Sequence, residues 1–94
     1  MPAYKLELSP AAHRDFKSLP ATIQQQIVKD HLPVIARDPV SAGRPLTGSL
    51  YGQRSYHFGR RPEYRIIYVV QGGLITVVLI GTREGIYRKA KKRT

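Results

Sequence analysis

Cysteine and tryptophan are absent from the 94 residues, and methionine occurs once. Without thiols, disulfide frameworks and thiolate metal sites are excluded. Carboxylates are scarce, six Asp+Glu against sixteen Lys+Arg. The three histidines, His13, His31 and His57, are scattered without metal-ligand spacing. No glycine-rich phosphate loop precedes a helix, and no plausible Ser/His/Asp set emerges. Long apolar runs are also missing. The longest, Leu74 to Ile80, has a strand's length, against roughly 20 residues for a membrane span. The opening MPAYKLELSP lacks the basic-then-apolar order of a secretory signal. The expectation is a soluble cytoplasmic protein without metal or cofactor. A chain this short leaves room for one domain over 1–94 and little room for an enclosed active site.

What the chain does have is positive charge, unevenly placed. The formal net charge is +10. Residues 1–53 hold six basic and four acidic side chains, residues 54–94 ten basic and two acidic ones. That asymmetry favours a polyanionic partner for the second half, nucleic acid above all.

Periodicity gives the order of elements. Tyr4, Leu6 and Leu8 alternate with polar residues as a half-buried strand does. Ser9-Pro10 reads as an N-cap and first-turn proline, opening a short helix with Ala12, Phe16 and Leu19 on one face. Pro20 ends it and opens a second helix with Ile23, Ile27, Val28 and Ile35 on its apolar face. Pro33 predicts a kink there, or a short second segment ending near Arg37. Asp38-Pro39 begins a loop running to about Gln53. From Arg54 the period becomes two, with Tyr56 and Phe58 facing one way and Ser55 and His57 the other. A second strand follows Pro62, Gly72-Gly73 makes a two-residue hairpin turn, and a third strand covers Leu74 to Thr82. Residues 84–94 form a basic tail, expected to be helical from Ile86. The reading is an α+β domain, β-α-α-β-β-β, with two N-terminal helices on one face of a mainly antiparallel sheet and the other face open.

Within the basic half, His57, Arg65, Arg83 and Tyr87 are the residues suited to chemistry. Arginine holds phosphate oxygens bidentately and stabilises charge in a phosphoryl transition state, while His or Tyr moves protons. Arg54, Arg60, Arg61, Arg88, Lys89, Lys91 and Lys92 are expected to attract phosphate around them. One geometric condition applies. With a two-residue turn at Gly72-Gly73, Arg65 pairs with Ile80, and Arg83 falls on the opposite side of the sheet. The two arginines meet only if a bulge intervenes or the chain leaves the sheet after Gly81.

The element order, together with "RPLTGSLYGQRSYHFG", "EYRIIYVV" and "LIGTREGIY", resembles the RelE/ParE toxin superfamily over nearly the whole chain. The resemblance implies a toxin held inactive by a cognate antitoxin, here expected to offer an acidic and apolar segment over the active face. RelE-type members cut mRNA on the ribosome without metal, by attack of a ribose 2′-hydroxyl on the adjacent phosphate. By resemblance, Arg65 takes the place of the strand arginine on the scissile phosphate, Arg83 that of the second catalytic arginine, and Tyr87 that of the C-terminal proton-transfer tyrosine. Where the best-known members carry two lysines, this chain has Ser55 and His57, and His57 stands as the acid–base substitute. ParE-type members share the fold, lack the nuclease residues and poison DNA gyrase. They are the alternative.

Overall fold

The first helix starts where capping chemistry places it. In the computed structural model, which describes residues 4–93, β1 (Lys5–Leu8) leads into Ser9, whose hydroxyl accepts the N–H of Ala12 at 3.1 Å. Pro10 sits in the first turn, where a missing N–H costs nothing, and α1 covers Pro10–Lys17. α2 (Ala21–Gln26) continues through a π-helical turn at Ile27–His31 into α3 (Leu32–Arg37). Pro33 cannot donate, and its ring crowds the carbonyl four residues back. The turn before it widens, so that Leu32 N–H bonds Ile27 O. This is the disturbance expected at Pro33, and it changes which residues face the sheet. Val28, assigned to the apolar face, is 57% exposed. His31 and Leu32 pack against the sheet instead.

His31 stacks on Phe58 with ring centroids 4.0 Å apart, and its Nδ1 lies 2.8 Å from the Tyr56 hydroxyl. Burial lowers its pKa below the ordinary 6.5, with Asp30 pulling more weakly the other way. A histidine with a depressed folded pKa stabilises the fold in full above its unfolded value. That contribution is lost as pH falls below 6.5 and through the folded value. Urea unfolding should therefore show stability declining from about pH 7.5 to pH 5. His31→Gln should flatten this decline; an unchanged slope in the variant would refute the assignment.

The segment expected to be a plain loop holds short elements: α4 (Pro39–Ala42), β2 (Arg44–Pro45) and a 3₁₀ turn at Gly48–Leu50. Asp38 caps α4 by accepting the Ser41 N–H. The buried Tyr68 hydroxyl donates to Pro39 O at 2.6 Å. Gly43 passes so close to this hydroxyl that a β-carbon would lie 2.5 Å from it.

β3 (Arg54–Phe58), β4 (Tyr64–Gln71) and β5 (Leu74–Thr82) form the antiparallel meander. The strand order is β1-β5-β4-β3-β2, with β1 parallel to β5 and the other pairs antiparallel. Ala12, Ile27 and Ile35 from the helices bury Ile66, Tyr68, Ile75, Val77 and Ile80 on one face. The opposite face is not fully open, contrary to expectation. α5 (Arg83–Arg93) lies on it, and Ile86 and Ala90 join Leu50, Ile67 and Leu79 in a second apolar cluster. This helix begins three residues before the expected start at Ile86, because Thr82 caps it by accepting the Gly85 N–H at 3.1 Å.

Candidate functional site

The register of the hairpin decides which residues can meet. Up to Tyr68↔Val77 the pairing follows the two-residue turn, and then it shifts, so that Ile67 pairs with Leu79 and Arg65 with Gly81 rather than Ile80. Val78 is the extra residue of this bulge. An added residue reverses which face each later β5 side chain uses. Ile80 thereby enters the main core, while Leu79 and Gly81 move to the face that carries Arg65. The ladder continues one step further, with Arg83 N–H donating to Glu63 O at 2.9 Å. The condition for bringing both arginines to one side is met.

Around Arg65 the contacts are specific. Its Nε donates to Glu63 Oε2 at 3.1 Å and one terminal nitrogen donates to the Tyr87 hydroxyl at 2.8 Å. The guanidinium carbon stands 5.9 Å from the Tyr87 ring centroid. His57 is the direct partner of Arg65 across the β3–β4 pairing and is exposed on the same face. Tyr87 is 47% exposed. Arg83, also exposed, borders a cleft of about 290 Å³ with Arg61, Pro62, Glu63, Thr82 and Glu84. Arg60 and Arg61 lie on the β3–β4 turn, where Arg61 takes φ +48°, and they line an adjoining hollow with Glu63. This arrangement offers a phosphodiester Arg65 beside one tyrosine and one histidine, with Arg60, Arg61 and Arg83 along clefts that share Glu63 and Arg61.

Other candidates lie elsewhere or are engaged. Arg54 donates to the carbonyls of Val40 and Gly43. It sits at the far end of β3, opposite Tyr68, and ties α4 and β2 to the sheet. Ser55, on the same face as His57, is only 5% exposed. Lys89 donates to Asp15 Oδ1 and to Ile80 O, each at 3.3 Å. Arg88, Lys91 and Lys92 are exposed along α5. Glu63 and Asp15 were not among the candidates. Asp15 had a visible signal, since it shares a helix face with Ala12 and Leu19. It is 6% exposed. Among the described residues no group of three His, Cys, Asp or Glu could hold a metal ion, and no helix is long and apolar enough to cross a membrane.

Residues 6–87 match the family described as the ParE toxin of type II toxin–antitoxin systems. The chain is 32% identical over 88 residues to the toxin RelG of Mycobacterium tuberculosis, covering 92% of this chain and 98% of that one. It is 29% identical to the toxin RelE of the same organism, over 90% of this chain and 87% of the other. Its fold superposes on a chain from the crystal structure of the M. tuberculosis toxin–antitoxin complex RelBE2. The TM-score there is 0.77 at 25% identity, with 86% of this chain and 99% of that chain covered. With the family matched over most of its length and a toxin 32% identical to it, the chain belongs to the RelE/ParE superfamily of type II toxin–antitoxin toxins.

Proposed function

We propose that this toxin is of the RelE type, an endoribonuclease that cuts mRNA on the ribosome. The observation that supports it is the grouping of Arg65, Tyr87 and His57 on one face, with Arg83 bordering the cleft lined by Glu63, the ion-pair partner of Arg65. In the reaction, the ribose 2′-oxygen forms a bond to the adjacent phosphorus and gives its proton to Tyr87, which enters the step as the phenolate and leaves it as the phenol. The P–O5′ bond breaks, and the leaving O5′ takes a proton from His57. The products are a 2′,3′-cyclic phosphate and a 5′-hydroxyl. Arg65 and Arg83 stabilise the charge on the non-bridging oxygens. The Arg65 N–H already points at the phenol oxygen that would carry charge.

A gyrase-inhibiting, ParE-type activity is the second reading. Two observations favour it: the matched family is described as ParE, and Ser55, standing where the best-known nucleases carry a lysine, is buried. Induction in cells separates the two. In-frame 5′ ends within translated messages support the nuclease, whereas relaxed or broken plasmid DNA with intact messages supports gyrase inhibition. In either case the partner is an antitoxin with acidic and apolar side chains, whose charge complements a +10 toxin and speeds association.

Tyr87→Phe and His57→Ala should each slow single-turnover cleavage by about two to four decades, the usual worth of a positioned acid or base. Ribosome binding should be unchanged in both. A variant that cleaves at the wild-type rate excludes that residue from the chemical step.

A further inference from the structure

α5 rests on the sheet along a narrow apolar seam, Ile86 and Ala90 against Ile67 and Leu79. Such a seam fixes where a helix lies better than how it is rolled. Residues 87 and 89 stand roughly 200° apart around a helix axis, so Tyr87 and Lys89 leave α5 on opposite flanks. Tyr87 reaches Arg65 on β4. Lys89 crosses Gly81, where a β-carbon would lie 3.4 Å from its Nζ and 3.5 Å from the Ile86 side chain. It ends at the outer edge of β5.

That edge is bare for a topological reason. β1 pairs with β5 only as far as Leu8↔Val77, and the chain then turns through Ser9 into α1. Beyond this point the outward N–H and C=O of Ile80 have no strand beside them. Asp15 from α1 accepts the N–H at 3.1 Å, and Lys89 donates to the C=O and to Asp15 at 3.3 Å each. A helix on one face and a helix on the other thus meet across a single peptide edge that no strand covers.

We propose that the Lys89–Asp15 pair positions Tyr87: it fixes the roll of α5 about its seam, so that the phenol stays on Arg65. Lys89 then serves the reaction through Tyr87 rather than by touching RNA. This inference rests on the reading of Tyr87 as an active-site residue.

The test uses the full chain with Lys89→Met, Lys89→Arg, Tyr87→Phe and the Lys89→Met/Tyr87→Phe double variant. In Lys89→Met, α5 amides should exchange roughly tenfold faster while β4 and β5 amides keep their protection. Ring-proton contacts between Tyr87 and Arg65, seen by NMR, should weaken. Single-turnover cleavage on saturating programmed ribosomes should fall roughly tenfold with ribosome affinity unchanged, and the loss should vanish in the Tyr87→Phe background. Lys89→Arg should restore most of the rate. Weaker ribosome binding with α5 exchange unchanged would make Lys89 an RNA contact and overturn the proposal. Sheet and α5 amides loosening together would reduce it to general stability and overturn it too, as would no change in exchange or rate. If the wild-type chain does not cleave at all, the nuclease reading falls alone, and α5 exchange with the Tyr87–Arg65 contacts still decides the positioning.

Discussion

Arg65→Ala is expected to abolish toxicity and lower single-turnover cleavage by about two to three decades, with the fold intact. Losing a charge contact made in the transition state costs about 3–4 kcal/mol. The stability cost is far smaller. Arg65 and Glu63 keep side-chain exposures of 20% and 30%, and ion pairs reached by water are worth about 0–1 kcal/mol. Without Arg65, both Glu63 and the half-exposed Tyr87 hydroxyl remain within reach of solvent. Arg65→Lys should recover part of the rate, since a single ammonium cannot donate to Glu63, Tyr87 and a phosphate in one fork. The measurements are a cleavage time course and a thermal unfolding curve for the same preparation. Loss of the unfolding transition in Arg65→Ala would assign the arginine to the architecture and remove the basis for its catalytic role.

The opposite pattern is expected at Asp15. Asp15→Ala should lower stability by about 2–4 kcal/mol, because it removes a charge-assisted hydrogen bond from a buried carboxylate and leaves the Ile80 N–H unpaired at a covered edge. For a domain of this size each kcal/mol shifts the melting temperature by about 4–8 °C, so the loss should be plain in a thermal scan. Asp15→Asn keeps an acceptor for Ile80 N–H but loses the charge facing Lys89, and should fall between wild type and Asp15→Ala. An unchanged melting temperature in Asp15→Ala would show that the edge of β5 is satisfied without the carboxylate. Asp15 is a poor probe of Tyr87 for this reason: it serves the whole fold, whereas Lys89 serves one helix.

Local chemistry was legible wherever one residue decides one backbone group. Ser9 and Pro10 cap α1 as their side chains require. The alternation of Tyr56 and Phe58 against Ser55 and His57 places the two sets on opposite faces, as the pairing of β3 with β4 confirms. Gly72-Gly73 fixed the register from Gln71↔Leu74 to Tyr68↔Val77. Arg65, Tyr87 and His57 were singled out by residue type and by the family resemblance, and the structure brings them together.

What the sequence could not carry is anything set by a second element packing from afar. The run Leu74 to Ile80 is apolar on both faces, so a one-residue slip changes nothing visible in its pattern. The bulge at Val78 was settled by the fit of Ile80 into one core and Leu79 into the other. Arg54 and Lys89 look like their solvated neighbours in a basic chain, because their partners lie 14 and 74 residues away. The covering of the second face by α5 was equally hidden, since two apolar positions, Ile86 and Ala90, become a packing seam only over Ile67 and Leu79. Composition pointed to a polyanionic partner, and the motifs that resemble the RelE/ParE superfamily pointed to the lineage and to the candidate residues. Whether Arg83 follows the chain to the side that carries Arg65 was decided by one inserted residue in β5, because side-chain direction along a strand alternates and a single added position reverses it.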